Sequence, residues 1–179
     1  GIVDGVLIKE RRNAPGACVG GVNLEGKIAR GEEWQMQAGL TWHRSLYKEA
    51  LAWADDVQAS RQMLRTPDLY GYFVSSYSPV KPLTVSLSGT YTGPMLVEHH
   101  AGYIEKNRTE RTPSFLEMNL KLAYDFRLYR NIILQVSTGI QNLLNAWQKD
   151  FDQGPDRDSG YIYGPTTPRT VFAGVKLGW

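Results

Sequence analysis

Apolar and polar residues alternate one by one along most of this chain. Over 115–128 the series Leu116, Met118, Leu120, Leu122, Tyr124, Phe126 and Leu128 is interleaved with Glu117, Asn119, Lys121, Asp125 and Arg127, with Ala123 the one neutral break. A period of two places the two sets on opposite faces of a β-strand, and no helix produces it. Residues 132–142 repeat it with Ile132, Leu134, Val136 and Ile140 against Gln135, Ser137 and Gln141. Residues 83–92 set Leu83, Val85, Leu87 and Tyr91 against Ser and Thr, and residues 34–47 set Trp34, Met36, Ala38, Leu40 and Trp42 against Gln35, Gln37, Thr41 and His43. The last nine residues carry Val171, Ala173, Val175, Leu177 and Trp179 on one face and Phe172, Gly174, Lys176 and Gly178 on the other. The signal is weaker over 20–30 and 68–78, and weakest over 2–12. About eight strands are expected.

The connections sort by length. Short turns are expected near 30–33, 78–82 and 128–131, and longer connections over 48–67, 99–113 and 143–168, with a modest one at 13–17. Short and long alternate strictly, as they do in up-and-down barrels with short periplasmic turns and long extracellular loops. Greek-key sandwiches have no reason to alternate in this way. The expected fold is therefore all-β, an antiparallel up-and-down transmembrane β-barrel. Its C-terminus would be periplasmic and residues 143–168 extracellular, in a bacterial outer membrane. A terminal apolar strand invites edge pairing in water, whereas in a barrel it closes against the first strand and faces lipid.

Aromatic positions agree with that assignment. Trp34 and Trp42 share the apolar face eight positions apart. At ~3.3 Å rise and a tilt near ~45° this spans roughly 19 Å of height, close to the ~25 Å apolar band of such barrels. Trp34, Tyr77, Phe126 and Trp179 fall at the turn ends of their strands, and Trp42 and Tyr91 toward the loop ends, as two interfacial girdles would.

Composition is compatible with this picture and narrows the chemistry. The 179 residues suffice for one domain, and a net charge of +2 with 21% charged residues gives no nucleic-acid signature. No run approaches the ~18 apolar residues of a membrane-spanning helix. The single cysteine, Cys18, excludes an intrachain disulfide and reads as a small wall residue. The opening Gly-Ile-Val-Asp-Gly has no signal-peptide character, so the chain is expected either to have lost such a segment or to be part of something larger.

Catalytic candidates are few, and no enzyme activity or cofactor is expected. His43, on the polar face of a strand, reads as a hydrogen-bonding lumenal residue. His99 and His100 are adjacent on a strand and so point to opposite faces, which makes a poor chelate. Asp150, Asp152, Asp156 and Asp158 form two Asp-x-Asp-x-Gly repeats, weak candidates for calcium because hard cations want clustered carboxylates; a solvated loop without metal is the simpler expectation. Neither Ser114 nor Ser159 has a Gly-x-Ser-x-Gly context. Ligand capture by the outer loops is the more credible chemistry. Trp53, Asp55, Asp56, Arg157, Tyr161 and Tyr163 combine aromatic faces, carboxylates and a guanidinium, suited to a small molecule or oligosaccharide. A competing reading packs Tyr161 and Tyr163 structurally, in an extension of the last hairpin.

The stretch Ile140-Gln-Asn-Leu-Leu-Asn145, the loop Asp150 to Pro165, Pro168-Arg-Thr and a closing strand that ends in an aromatic together resemble the C-terminus of a TonB-dependent outer-membrane receptor of the Bacteroidetes type. Arg65-Thr-Pro67 and Gly21-Val-Asn-Leu-Glu25 fit the same family. The resemblance covers most of residues 1–179 and is strongest over 110–179. It implies the last part of a 22-stranded barrel whose plug domain, the segment that engages TonB, lies outside this chain. It also implies energised uptake of a scarce nutrient of the siderophore, cobalamin or oligosaccharide class. Phe172, Gly174, Leu177 and Trp179 match the spacing of the insertion signal that the barrel-assembly machinery pairs with by strand addition. The family usually has a polar residue where Phe172 stands and ends in Phe where this chain has Trp179. Two alternatives are a complete eight-stranded outer-membrane anchor or small enzyme, and a soluble lipocalin-like carrier with its apolar face turned inward.

If the terminal strand is the insertion signal, Trp179→Ser in the intact protein is expected to leave periplasmic, protease-sensitive material, while Trp179→Phe inserts normally, because the site needs an interfacial aromatic. Surface levels measured by protease shaving of whole cells check this; normal display of the Ser variant would reduce Trp179 to one more lipid-facing side chain.

Overall fold

A computed structural model describes residues 16–129 and 131–179, with the backbone of Ile2–Val3 and Val6–Leu7 in addition. The elements are β1 (Ile2–Val3), β2 (Val6–Leu7), β3 (Ala17–Arg30), β4 (Trp34–Leu51), β5 (Ser60–Gln62), β6 (Leu69–Val80), β7 (Leu83–Thr92), β8 (Leu96–His99), β9 (Arg108–Arg111), β10 (Phe115–Arg127), β11 (Ile133–Gln141) and β12 (Thr170–Gly178). The described residues contain no helix. Seven long strands form one antiparallel meander in the order β12-β11-β10-β7-β6-β4-β3, with β5 added to β4 as the eighth member.

Register makes the period-two pattern continuous across the sheet. One row of cross-strand partners runs Ile28, Met36, Ser75, Leu87, Leu120, Ile140, Val171. The next row, on the opposite face, runs Ala29, Gln35, Ser76, Ser86, Lys121, Gly139, Phe172. The same contrast holds for Leu24, Leu40, Gly71, Tyr91 and Leu116 against Glu25, Gly39, Tyr72, Thr90 and Glu117. Trp34 faces Tyr77 directly, at the short-turn end. Their row continues through Val85 to Leu122, beyond which β10 runs on to Arg127. The strands are therefore staggered, as tilted strands must be.

Among the described residues nothing covers the apolar face, which is open to its surroundings. Val22, Leu24, Ile28, Val171 and Val175 are all more than half exposed, and Trp179 is 92% exposed. Among the described residues the buried hydrophobic side chains are Val97, Phe115 and Tyr161, each in the long connections or where they meet the sheet. On the polar face, side chains bond to one another across strands. The Tyr72 hydroxyl donates to Glu25 at 2.5 Å, Gln37 Nε2 to the same carboxylate at 2.7 Å, Thr41 to Asn23 at 2.9 Å and Gln135 to Asp125 at 2.8 Å.

The structure departs from the sequence expectations in two places. The sheet is not closed: among the described residues β12 pairs with β11 and β3 with β4, so the expected contact of last strand with first is absent. Among the described residues the sheet has seven long strands, with β5 as a short flap. The strand expected over 2–12 lies outside the described residues, apart from β1 paired with β2. Finally, β6 continues through Ser78 and Pro79 to Val80, where a register shift absorbs the proline and leaves Lys81-Pro82 as the turn. Proline cannot donate to a ladder, and an irregularity is where a strand tolerates it.

Close approach is also built into the ladder. The Phe73 ring lies over Gly89, its cross-strand partner, so near that an added Cβ would come within 2.4 Å of the ring. Replacing Gly89 with Ala should destabilise the chain by about 1–3 kcal/mol through overpacking, and Phe73→Leu in the same chain should recover part of that loss. Urea unfolding of the refolded single and double variants measures the coupling; additive effects would mean that the ring does not rest on this glycine.

Candidate functional site

The long connections, 52–68, 93–114 and 142–169, lie at one end of the meander and fold onto one another. Asn142 and Asn145 set the base of the longest. Both adopt left-handed backbone (φ 50° and 52°), which asparagine tolerates better than most residues. Buried Asn142 donates from Nδ2 to the carbonyls of Ala146 and Thr167, and Oδ1 accepts from Ala146 N–H. Asn145 Oδ1 accepts from Arg169 N–H. The two side chains thus tie the start of the loop to its end.

Above this base, buried Gln148 replaces a strand ladder. Its amide donates to Tyr161 O at 3.0 Å and its oxygen accepts from Tyr163 N–H at 2.9 Å. Residues 142–169 contain no strand, so Tyr161 and Tyr163 are not a hairpin extension. Gly160, Gly164 and Pro165 around them favour this side-chain-held path over a regular ladder. Tyr161 is nonetheless packed: it is buried and stacks on His99 with ring centroids 3.6 Å apart.

His99 fastens the loop to the β8–β9 hairpin. Its Nε2 lies 3.0 Å from both Asp152 oxygens, in a contact where the two side chains are 4% and 2% exposed. Asp152 also accepts from Asp158 N–H at 2.9 Å. Asp158 accepts from His100 N–H at 2.9 Å and Gly160 N–H at 2.8 Å. His100 turns to a different neighbour, Trp53, at 4.7 Å between rings. Arg65, itself in left-handed backbone, pairs with Glu98 at 2.9 Å and donates to the carbonyls of Gly160 and Ile162. His43 Nε2 lies 2.8 Å from Pro67 O; a carbonyl only accepts, so this nitrogen carries the hydrogen.

Between hairpin and loop lies a cavity of about 440 Å³, lined among others by Tyr103, Arg108, Arg111, Lys149, Asp150, Phe151 and Tyr163. Asp150 is part of its wall, accepting the Tyr161 hydroxyl at 2.9 Å and the Tyr163 hydroxyl at 2.5 Å. Partial burial works to raise the Asp150 carboxyl, but the two tyrosine hydroxyls outweigh it and hold it below the ordinary carboxylate value. The same burial and the same carboxylate push both tyrosines well above the ordinary phenol value, so they remain donors.

The six proposed ligand contacts divide between places. Tyr161 and Tyr163 line this cavity. Trp53 instead donates from Nε1 to Thr109 at 2.9 Å, and Asp56 accepts from Asn107 Nδ2 at 2.9 Å, bracing the hairpin from its other side. Asp55 is exposed, and Arg157 donates to Gly154 O within its own loop. Of the four calcium candidates, Asp150, Asp152 and Asp158 are engaged by tyrosine, histidine and backbone donors, and Asp156 is exposed. Among the described residues no group of three metal-capable side chains gathers. Residues the sequence did not single out also line the cavity: Tyr103, Arg108, Arg111, Lys149 and Phe151. Their only signal was position in two long connections.

No family model matches the chain, and no curated protein matches it either.

The loop network is carried by charge and is open to acid. Because the Asp150 carboxyl is depressed on folding, its stabilising share is complete above about pH 4 and is lost as pH falls through the lower native value. Limited proteolysis within 143–168 is expected to rise over that window, and Asp150→Asn to flatten the rise. Unchanged cleavage from pH 5 to 2 would show that Asp150 does not hold the loop.

Proposed function

We propose that this chain is a segment of an outer-membrane β-barrel that serves as a receptor for energised, TonB-dependent uptake, and that its long connections capture the ligand outside the cell. The observation that carries the reading is the face running from Leu24 and Ile28 across to Val171 and Val175, exposed and without charge in its central rows, opposite a face of paired polar side chains. Water gives such a face nothing to bury against, whereas lipid solvates it. Strand stagger, Trp34 beside Tyr77 at the turn end, and long connections gathered at the other end support the same orientation. The turns and C-terminus would then be periplasmic.

Among the described residues β3 and β12 are edge strands, and because exposed edges of this length invite pairing they support a sector of a wide barrel over a complete small one. The charged side chains Glu117, Lys121, Asp125 and Arg127 fit a broad polar lumen, where water or a plug can solvate them, better than a narrow filled interior. The partners implied are outer-membrane lipid, the barrel-assembly machinery that would read Phe172, Gly174, Leu177 and Trp179, TonB acting through a plug domain outside this chain, and a small-molecule or oligosaccharide nutrient. The role is that of a receptor, with no catalytic step assigned to any residue.

Arginine placed on the two faces tests the reading. Leu120→Arg and Leu134→Arg are expected to cost ~2–4 kcal/mol in a bilayer folding assay, and Ser88→Arg, on the opposite face, much less. Equal costs would overturn the membrane assignment. In cells, nutrient uptake through the intact protein is expected to stop when TonB is deleted; uptake that persists would remove the energised step and leave a passive pore or anchor.

A further inference from the structure

In the cavity between the β8–β9 hairpin and the 148–163 segment, three cations and three carboxylates line the wall, but they do not pair off with one another. Glu110 is occupied by the Arg108 guanidinium. Asp150 is occupied by two tyrosine hydroxyls, and Asp152 is sealed under His99 with its side chain 2% exposed. Arg111 and Lys149 also line the cavity, both are exposed, and among the described residues neither side chain has a hydrogen-bond or ion-pair partner. The three carboxylates keep their charge, but each has a donor of its own, whereas two of the three lining cations have no partner side chain among the described residues. Phe151, Ile104 and Pro113 add an apolar wall beside them.

We propose that this cavity binds a small organic anion, with a carboxylate or phosphate group on Arg111 and Lys149 and a flat apolar body against Phe151. The inference rests on the reading of the loops as a ligand-capture surface and assigns the class of ligand. A volume of about 440 Å³ lies in the range of small-molecule sites, roughly 300–1,000 Å³. Arginine presents a planar fork of donors that matches an oxyanion bidentately, and the ammonium adds a point charge. A neutral sugar would need carboxylate or amide acceptors for its hydroxyls, and here Asp150, Asp152 and Gln148 are committed to the loop itself. A cation would meet the unspent guanidinium and ammonium.

The test uses the intact protein in outer-membrane vesicles and reads binding of benzoate, phenyl phosphate and the uncharged benzamide by saturation-transfer NMR. Both anions are expected to compete with each other, to bind at least tenfold more tightly than benzamide, and to weaken as salt is raised. The double variant Arg111→Gln/Lys149→Gln should lose tenfold or more, while Lys81→Gln, in the turn at the far end, changes nothing. If benzamide binds as tightly, is displaced by Tyr163→Ala and ignores the double variant, the cavity is a ligand site but the anion assignment is overturned. If no probe binds, both the assignment and the capture reading of this cavity fall. Displacement of benzoate by phosphatidylglycerol, but not by phosphatidylcholine, would support the anion site with a lipid headgroup as its source, and displacement by neither would support a free solute.

Discussion

The hydrogen-bonded register that runs from β3 to β12 decides which side chain meets which surroundings. Because side chains alternate with a period of two, a slip of one residue between any two strands would bring the Ile28–Met36–Leu87–Leu120 row into line with Gln35, Ser86 and Lys121. Several contacts guard against that slip. The Phe73 ring fits only over a residue without a Cβ, and Gly89 supplies it. Phe172 lies over Gly139 in the same manner on the polar face, which gives the aromatic at that position of the last strand a packing role in the ladder. The Glu25–Gln37–Tyr72 hydrogen bonds tie three adjacent strands across the polar face.

Sheet and loops are held by different physics. Apart from Phe115, the sheet fully buries none of its large apolar side chains among the described residues, and it is maintained chiefly by its backbone ladder. The loops, in contrast, contain the buried hydrophobic residues Val97 and Tyr161, with Phe115 where they meet the sheet, and they are fastened mainly by polar groups: Asn142 at the base, Gln148 in the middle, His99 with Asp152 at the top. A buried imidazole–carboxylate contact contributes direction more than net energy, since desolvation offsets much of the attraction. That division supports the proposed reading, in which lipid solvates the sheet and the ligand chemistry is held outside it.

The same polar fastening explains why two cations of the cavity lining have no carboxylate partner among the described residues. Asp150 and Asp152, which could otherwise pair with Arg111 and Lys149, are engaged in holding the loop, and Glu110 pairs with Arg108. Loop structure and ligand preference therefore share residues, and a change at Asp150 would alter both.

The strands could be read from the chain because a period of two is a local property. Each of β4, β7, β10, β11 and β12 starts within a residue or so of where alternation places it, and the turn at 30–33 is marked by Gly31 in left-handed backbone. The ends of β4 and β6 ran further than the pattern suggested, since pairing with β5 and a bulge at Ser78-Pro79 sustain strands whose own alternation has lapsed. Which Asp serves a histidine, a tyrosine or a backbone amide was not legible, because His99 and Asp152 are 53 residues apart and meet only when two loops fold together. The sequence by itself determined the antiparallel strands, the parity of their faces and the alternation of short and long connections. Tertiary structure alone decided that β3 and β12 are the edge strands among the described residues, that Asp150, Asp152 and Asp158 fasten the loop rather than gather, and that Arg111 and Lys149 are left facing a cavity. Those outcomes depend on contacts between distant segments, and no local pattern encodes them.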